Sequence, residues 1–179
     1  MRLTSLLTKI WNNIRETVVS PTTAVARISE EKEIIPAVLT VCLAAICFVP
    51  YHLPQYFTLV VQLMFMYCII VGIVSYGTVR YFFIDGEDMP SDVKVRLMIC
   101  LGYAMVPWIC FLPFALFNAT LIVLFAGLLW SLTLSMIAVY ELCELDTTAS
   151  ISVTMFGIAA YVVFYVTVGA SVILPKLVR

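Results

Sequence analysis

His52 is the only histidine among 179 residues, and a lone imidazole is where general-base, nucleophile-activating or metal chemistry would have to start. It lies between Pro50 and Pro54, with no acidic or cysteine partner on its side of the chain's apolar runs. The carboxylates gather elsewhere, as Asp85, Glu87, Asp88 and Asp92 in one group and Glu141, Glu144 and Asp146 in another. The first group lacks the alternating ligand spacing and central glycine placement of an EF-hand. Arg80, Lys94 and Arg96 stand beside it as counter-charges. The seven glycines are dispersed, so no phosphate-cradling loop can form. No catalytic residue, cofactor or metal is therefore expected, and an enzyme acting alone is not the expectation. A solvated acidic face that docks a partner is, with Arg80, Glu141 and Glu144 as candidate docking residues.

What positions these groups is a set of apolar runs. The chain is 63% hydrophobic and 12% charged, with a mean hydropathy of +1.08. Every charged residue lies outside five runs: Ile34 to Pro50, Tyr56 to Val79, Leu97 to Phe117, Ala119 to Tyr140 and Ile151 to Leu174. A helix needs about 20 residues to cross the hydrocarbon core, and a charge at its centre costs about 2.5 to 3.5 kcal/mol on insertion scales. The expected fold is therefore all-α: a polytopic membrane protein of five transmembrane helices, with residues 34–179 forming the membrane domain and residues 1–33 a cytoplasmic segment. The net charge of −1 offers no basic stripe for nucleic acid. The six cysteines, five of them inside apolar runs, read as free thiols.

Lys and Arg counts set the orientation. Arg2, Lys9, Arg15, Arg27 and Lys32 precede the first run, Arg80, Lys94 and Arg96 separate the second from the third, and only Lys176 and Arg179 fall on the other side. That asymmetry predicts a cytoplasmic N-terminus and an extracytoplasmic C-terminus.

Within residues 1–33, Leu3, Leu6, Leu7, Ile10, Trp11, Ile14 and Val18 recur at steps of three and four, with Arg2, Lys9, Asn13, Arg15 and Glu16 on the remaining surface. This amphipathic pattern predicts a helix in the cytoplasmic interface among membrane lipids; the alternative is a lid packed across the cytoplasmic ends of the spans. Ser20 and Pro21 predict a second helix start, as an N-cap and a first-turn proline. In the spans, Gln62 is a candidate to hold helices together or to line a polar path. Gly127, Ser131 and Ser135 repeat every four residues and predict close helix packing inside the protomer, with a homo-oligomer seam as the alternative.

The third run carries Gly102-Tyr103-Ala104-Met105-Val106-Pro107, with Pro113 beyond it, and its prolines should kink the helix. Gly102 then allows close approach, and Tyr103 is placed to offer its hydroxyl to the carbonyls that the kink releases. This Gly-Tyr-x-x-x-Pro element resembles that of the Yip family of Ypt/Rab-interacting membrane proteins. So do the five spans, the pre-membrane proline Pro21 and the pair Trp130 and Ser131 in the fourth run. Eukaryotic members carry an Asp-Leu-Tyr-Gly-Pro motif where this chain reads Thr17-Val18-Val19-Ser20-Pro21. The resemblance thus implies a prokaryotic member, a non-enzymatic adaptor or scaffold binding membrane or envelope components. Its alternative is a component that translocates lipid or a small solute.

Overall fold

The computed structural model describes residues 3–48, 57–82, 90, 92–110 and 120–177. Its regular elements are all helices: α1 (Leu3–Val19), α2 (Pro21–Glu31), α3 (Ile34–Phe48), α4 (Phe57–Phe82), α5 (Asp92–Tyr103), α6 (Val106–Cys110), α7 (Thr120–Cys143) and α8 (Thr147–Leu177). The turn residue Asn118, the proline Pro113, the loop around His52 and the carboxylates Asp85, Glu87 and Asp88 lie outside the described residues.

Four stretches are long and apolar enough to cross a membrane: Val60–Phe82, Asp92–Cys110, Phe125–Cys143 and Thr147–Thr167. The chain is a multi-pass membrane protein. α3 has 15 described residues, about 22 Å at 1.5 Å per residue; Val49 and Pro50 at the end of its run lie outside the described residues. Pro36 falls in its first turn, where a missing N–H has no intrahelical partner. Large apolar side chains are exposed on the outside of the bundle, Phe156, Val163 and Val166 on α8 and Ile34, Ile35 and Ile46 on α3.

The third expected span is not one kinked helix but two. Its ladder ends at Tyr103 and restarts at Val106. Pro107 lacks the N–H that would reach the Tyr103 carbonyl, and its ring crowds that carbonyl. The backbone tightens instead: Met105 N donates to Gly102 O at 3.3 Å and Trp108 N to Met105 O at 3.1 Å, both three residues back. This break lies in the best-buried stretch of the protein, with residues 101–107 all buried.

α5 lies against α2, α3, α4 and α7, and α4 against α3, α5, α7 and α8. The α1–α2 hairpin contributes to the same core: Ile10, Ile14, Ala24, Val25 and Ile28 join Val41, Val71, Leu97 and Leu101 in one cluster. α1 is therefore docked on the bundle. Its apolar stripe divides, with Ile10 and Ile14 inward while Leu7 and Trp11 remain 57% and 67% exposed on the adjoining side. Ser20 occupies the N-cap of α2, with Pro21 at the first turn, but its hydroxyl pairs with Thr23 Oγ1 at 3.0 Å rather than with a backbone N–H. At the other end of the bundle's sequence, Asp146 caps α8 by accepting from Ala149 N at 2.6 Å.

Two glycines test the packing. A Cβ on Gly157 of α8 would meet Ser75 Oγ at 3.0 Å, Val71 Cγ1 at 3.1 Å and the Val71 carbonyl at 3.3 Å, whereas one on Gly77 would meet nothing within 4 Å. We expect Gly157→Val to cost about 1 to 3 kcal/mol through overpacking. Gly77→Ala should be neutral or stabilising by up to about 1 kcal/mol, from helix propensity alone. Thermal unfolding in mild detergent checks both; equal effects would mean that α4 and α8 are not in close contact.

Candidate functional site

The Tyr103 hydroxyl does not serve the carbonyls released at the break. Tyr103 is 2% exposed, and its oxygen accepts from Asn13 Nδ2 at 2.7 Å, ninety residues away in the chain. Asn13, expected on the outer surface of α1, is itself 2% exposed. The physical reason is that both ends of its side-chain amide are engaged: Nδ2 donates to Tyr103 and Oδ1 accepts from Arg27 Nη2 at 2.7 Å, while its backbone carbonyl accepts from Thr17 Oγ1 at 2.7 Å. A buried amide with its partners present is tolerated, whereas an orphaned one costs about 1 to 3 kcal/mol.

From Asn13 the polar chain runs outward through charges. Arg27 grips Glu16 with Nε at 2.8 Å and also with Nη2, and Glu31 with Nη1 at 2.8 Å. Lys9 bridges Glu31 at 2.7 Å and Glu33 at 2.8 Å. The hydrogen bond from Lys9, and behind it that from Arg27, holds the Glu31 carboxyl below the usual carboxylate range. The same contact, reinforced by Glu33, raises the Lys9 ammonium. Lys32, in the left-handed conformation that ends α2 (φ 50), reaches Asp92 at 2.7 Å, which Arg96 also binds at 2.7 Å. The hairpin is thus fastened to the third span at its break and at its start.

Between α2 and the ends of α5 and α7 opens a cleft of about 430 Å³, lined by Ala26, Ser29 and Glu30, by Asp92 and Arg96, and by Glu141 and Glu144. Four of these side chains are carboxylates and one is a cation. Arg96 spends Nη2 on Asp92, and its buried Nε has no partner among the described residues. Glu30, Glu141 and Glu144 form no ion pair there, so the cleft presents uncompensated negative charge. Glu144 is held at φ 51, turning the chain out of α7. Among the described residues no group of three His, Cys, Asp or Glu side chains is arranged to hold a metal ion.

The expected docking residues are only partly brought together: Glu141 and Glu144 line the cleft, while Arg80 is exposed in the last turn of α4 and does not. Of the motif residues, Gly102, Tyr103 and Pro107 are buried at the break, and a Cβ on Gly102 would meet Ala37 Cβ at 3.3 Å. Pro21 and Trp130 are half-buried. Ser131 and Ser135 are buried with Gly127 inside the protomer, and Ser135 Oγ lies 2.9 Å from the Tyr67 hydroxyl of α4. Gln62 stands on the exposed side of α4 and joins no helix contact of this kind. The sequence reading missed Asn13, Arg27 and Glu30. The available signal was Asn13 and Thr17, a polar pair four residues apart that each follow an inward isoleucine, Ile10 or Ile14, by three.

Two outcomes follow from the Tyr103–Asn13–Arg27 chain. Asn13→Ala should lower detergent stability by about 1 to 3 kcal/mol and Tyr103→Phe by about 0.5 to 1.5 kcal/mol. The double variant should cost less than their sum, because both remove one bond; strict additivity in the thermal unfolding cycle would mean the contact carries no energy. The pH response has a definite sign. Glu31, with its lowered pKa, contributes above the ordinary carboxylate value of about 4.3, and that contribution is lost as pH falls through the lowered value. Lys9, with its raised pKa, contributes below about 10.4 and loses its contribution only in stronger base. A nitroxide at the exposed position Asn12 should report an immobile hairpin from about pH 5 to 9 and greater mobility below about pH 4. Unchanged mobility down to pH 3 would remove the ion pairs from the account.

No family model, curated protein or solved structure matches the chain.

Proposed function

We propose that this protein is a non-enzymatic membrane adaptor of the Yip type that captures a basic segment of a partner in the carboxylate-lined cleft. What supports the reading is the charge gathered at one place: Glu30 of α2, Glu141 of α7 and Glu144 of the turn after α7 line the cleft beside the single cation Arg96, and among the described residues none of the three forms an ion pair. Such a field steers a cationic partner and selects against acidic ones. The anchoring of α2 at Asp92 and Asn13 gives the cleft a fixed wall, which lowers the ordering cost of binding. A translocating component is the second reading, and the observation in its favour is a lateral groove of about 340 Å³ among α4, α6, α7 and α8, lined by Tyr67, Trp108, Leu128 and Tyr161.

The experiment is site-specific photocrosslinking in native membranes from Ala26, an exposed cleft position. A discrete protein adduct is expected, and Glu141→Lys with Glu144→Lys should reduce it about tenfold or more, as expected for losing two favourable charge contacts. An adduct insensitive to both reversals would overturn the cleft as the docking site.

The adaptor reading also requires the cleft to face the cytoplasm. In a background without native cysteines, a cysteine at the exposed Thr148 in the first turn of α8 should react with an impermeant thiol reagent only after the membrane is opened. Labelling of intact cells at Thr148 would invert the orientation and with it the compartment of the partner.

A further inference from the structure

The first and third membrane segments run side by side in one register. Ile34 and Leu97, which open the two apolar runs, are sixty-three positions apart, and the contacts beyond them keep that offset. The Tyr103 hydroxyl lies beside the Thr40 hydroxyl, again sixty-three positions away. A Cβ on Gly102 would meet Ala37 Cβ at 3.3 Å and Val41 Cγ2 at 3.5 Å, which flank the equivalent position, Leu39, by two residues on either side. Further along, the same offset joins two thiols: Cys47 near the end of α3 and Cys110 at the end of α6, both free and both half-buried. Each stands thirteen residues beyond the start of its run, a rise of about 20 Å at 1.5 Å per residue. α3 packs directly on α6, and the two sulfurs are near enough for charge on one to act on the other.

The other cysteines have no such counterpart. Cys68, Cys100 and Cys143 are buried, and Cys42, half-buried like the pair, has Met105 at its own register. A disulfide needs Cα atoms about 4.4 to 6.8 Å apart, closer than helices usually approach. Small residues permit it in a membrane: Ala37, Ala44 and Ala45 are buried on α3, and Gly102 sits against the first of them. Cys47 comes three residues before Pro50, where its apolar run ends, so the pair lies about 5 Å from the end of that run and within reach of a reagent at the membrane surface. In the orientation that the Lys and Arg asymmetry predicts, that surface is extracytoplasmic, where disulfides persist.

We propose that Cys47 and Cys110 are a dithiol that closes into a disulfide and fastens the end of α6 to the end of α3. The oxidant is itself a disulfide. One protein thiolate attacks it and expels a thiol, and the second protein thiolate attacks the resulting mixed disulfide and expels the other. Two protein thiols are oxidised, one external disulfide is reduced, and the two protons leave on the released thiols. The bond reinforces the segment where its backbone is weakest, since α6 is joined to α5 by two bonds reaching three residues back instead of a continuous ladder. It is independent of the cleft and of the partner that the cleft holds.

The test treats the full chain, one copy per lipid nanodisc, with dithiodipyridine, a small apolar disulfide, and reads the digested product by mass spectrometry. Closure leaves no pyridyl group behind, so the peptides carrying Cys47 and Cys110 should appear joined, two hydrogens lighter than their sum, and dithiothreitol should separate them. Cys47→Ser should leave Cys110 carrying the thiopyridyl group, because nothing remains to expel it. Cys42→Ser should leave the joined product unchanged. Thiopyridyl groups on both Cys47 and Cys110 of the unsubstituted chain, two unreacted thiols there, or a link from either to another cysteine would each overturn the proposal. These outcomes are read on the unsubstituted chain, so a folding defect in a variant leaves the test decisive.

Discussion

One missing hydrogen-bond donor organises this molecule. Pro107 cannot close the helical ladder onto Tyr103, so the third membrane segment breaks where burial is greatest. The helix before the break ends at Tyr103, whose hydroxyl accepts from Asn13 instead of serving the freed carbonyls, and Asn13 in turn accepts from Arg27. That chain of bonds ties the N-terminal hairpin to the bundle at the break. The cleft exists because α2 is held beside α5 and α7, and α2 is held there because the chain of bonds and the Lys32–Asp92 pair fix it at two points.

The ion pairs around Arg27 and Lys9 illustrate how a charged group comes to lie close to an apolar core without unpaired burial. Each cation is shared between two carboxylates, and each is only partly withdrawn from solvent. Surface pairs of this kind contribute little one at a time. Their role here is to neutralise the outer end of a buried polar chain, so that Asn13 meets a fixed donor rather than water. The same residues account for the division of labour on α1: Ile10, Asn13, Ile14 and Thr17 face the protein, while Leu7 and Trp11 face outward with the apolar start of α3.

Much of this architecture could be read from letters alone, and the reasons for the rest are local. The apolar runs identify the membrane helices because charge is excluded from all of them, and the Gly-Tyr-x-x-x-Pro spacing marks the break because proline chemistry is independent of context. Asn13 was assigned to the polar face of α1 because periodicity weighs polarity and cannot see a tyrosine ninety residues away. Glu141 and Glu144 were readable as an acidic pair, yet their joining with Glu30 depends on how α2 docks, which no local signal carries. The lateral groove was likewise hidden, since Tyr67, Trp108 and Tyr161 come from three separate segments.

The span between Asn13 and Tyr103 also sets an order of assembly. During synthesis at about 5 to 20 residues per second, Asn13 leaves the ribosome on the order of 5 to 20 seconds before the hydroxyl that will satisfy it. For that interval the α1–α2 hairpin has no core to join, and its apolar stripe, with Trp11 at the centre, has the membrane surface as its natural resting place. The interfacial helix suggested by the amphipathic pattern is then a stage of biogenesis as much as a final position. The third segment, arriving with Tyr103, supplies the partner that Asn13 lacks, ninety residues after Asn13 was made.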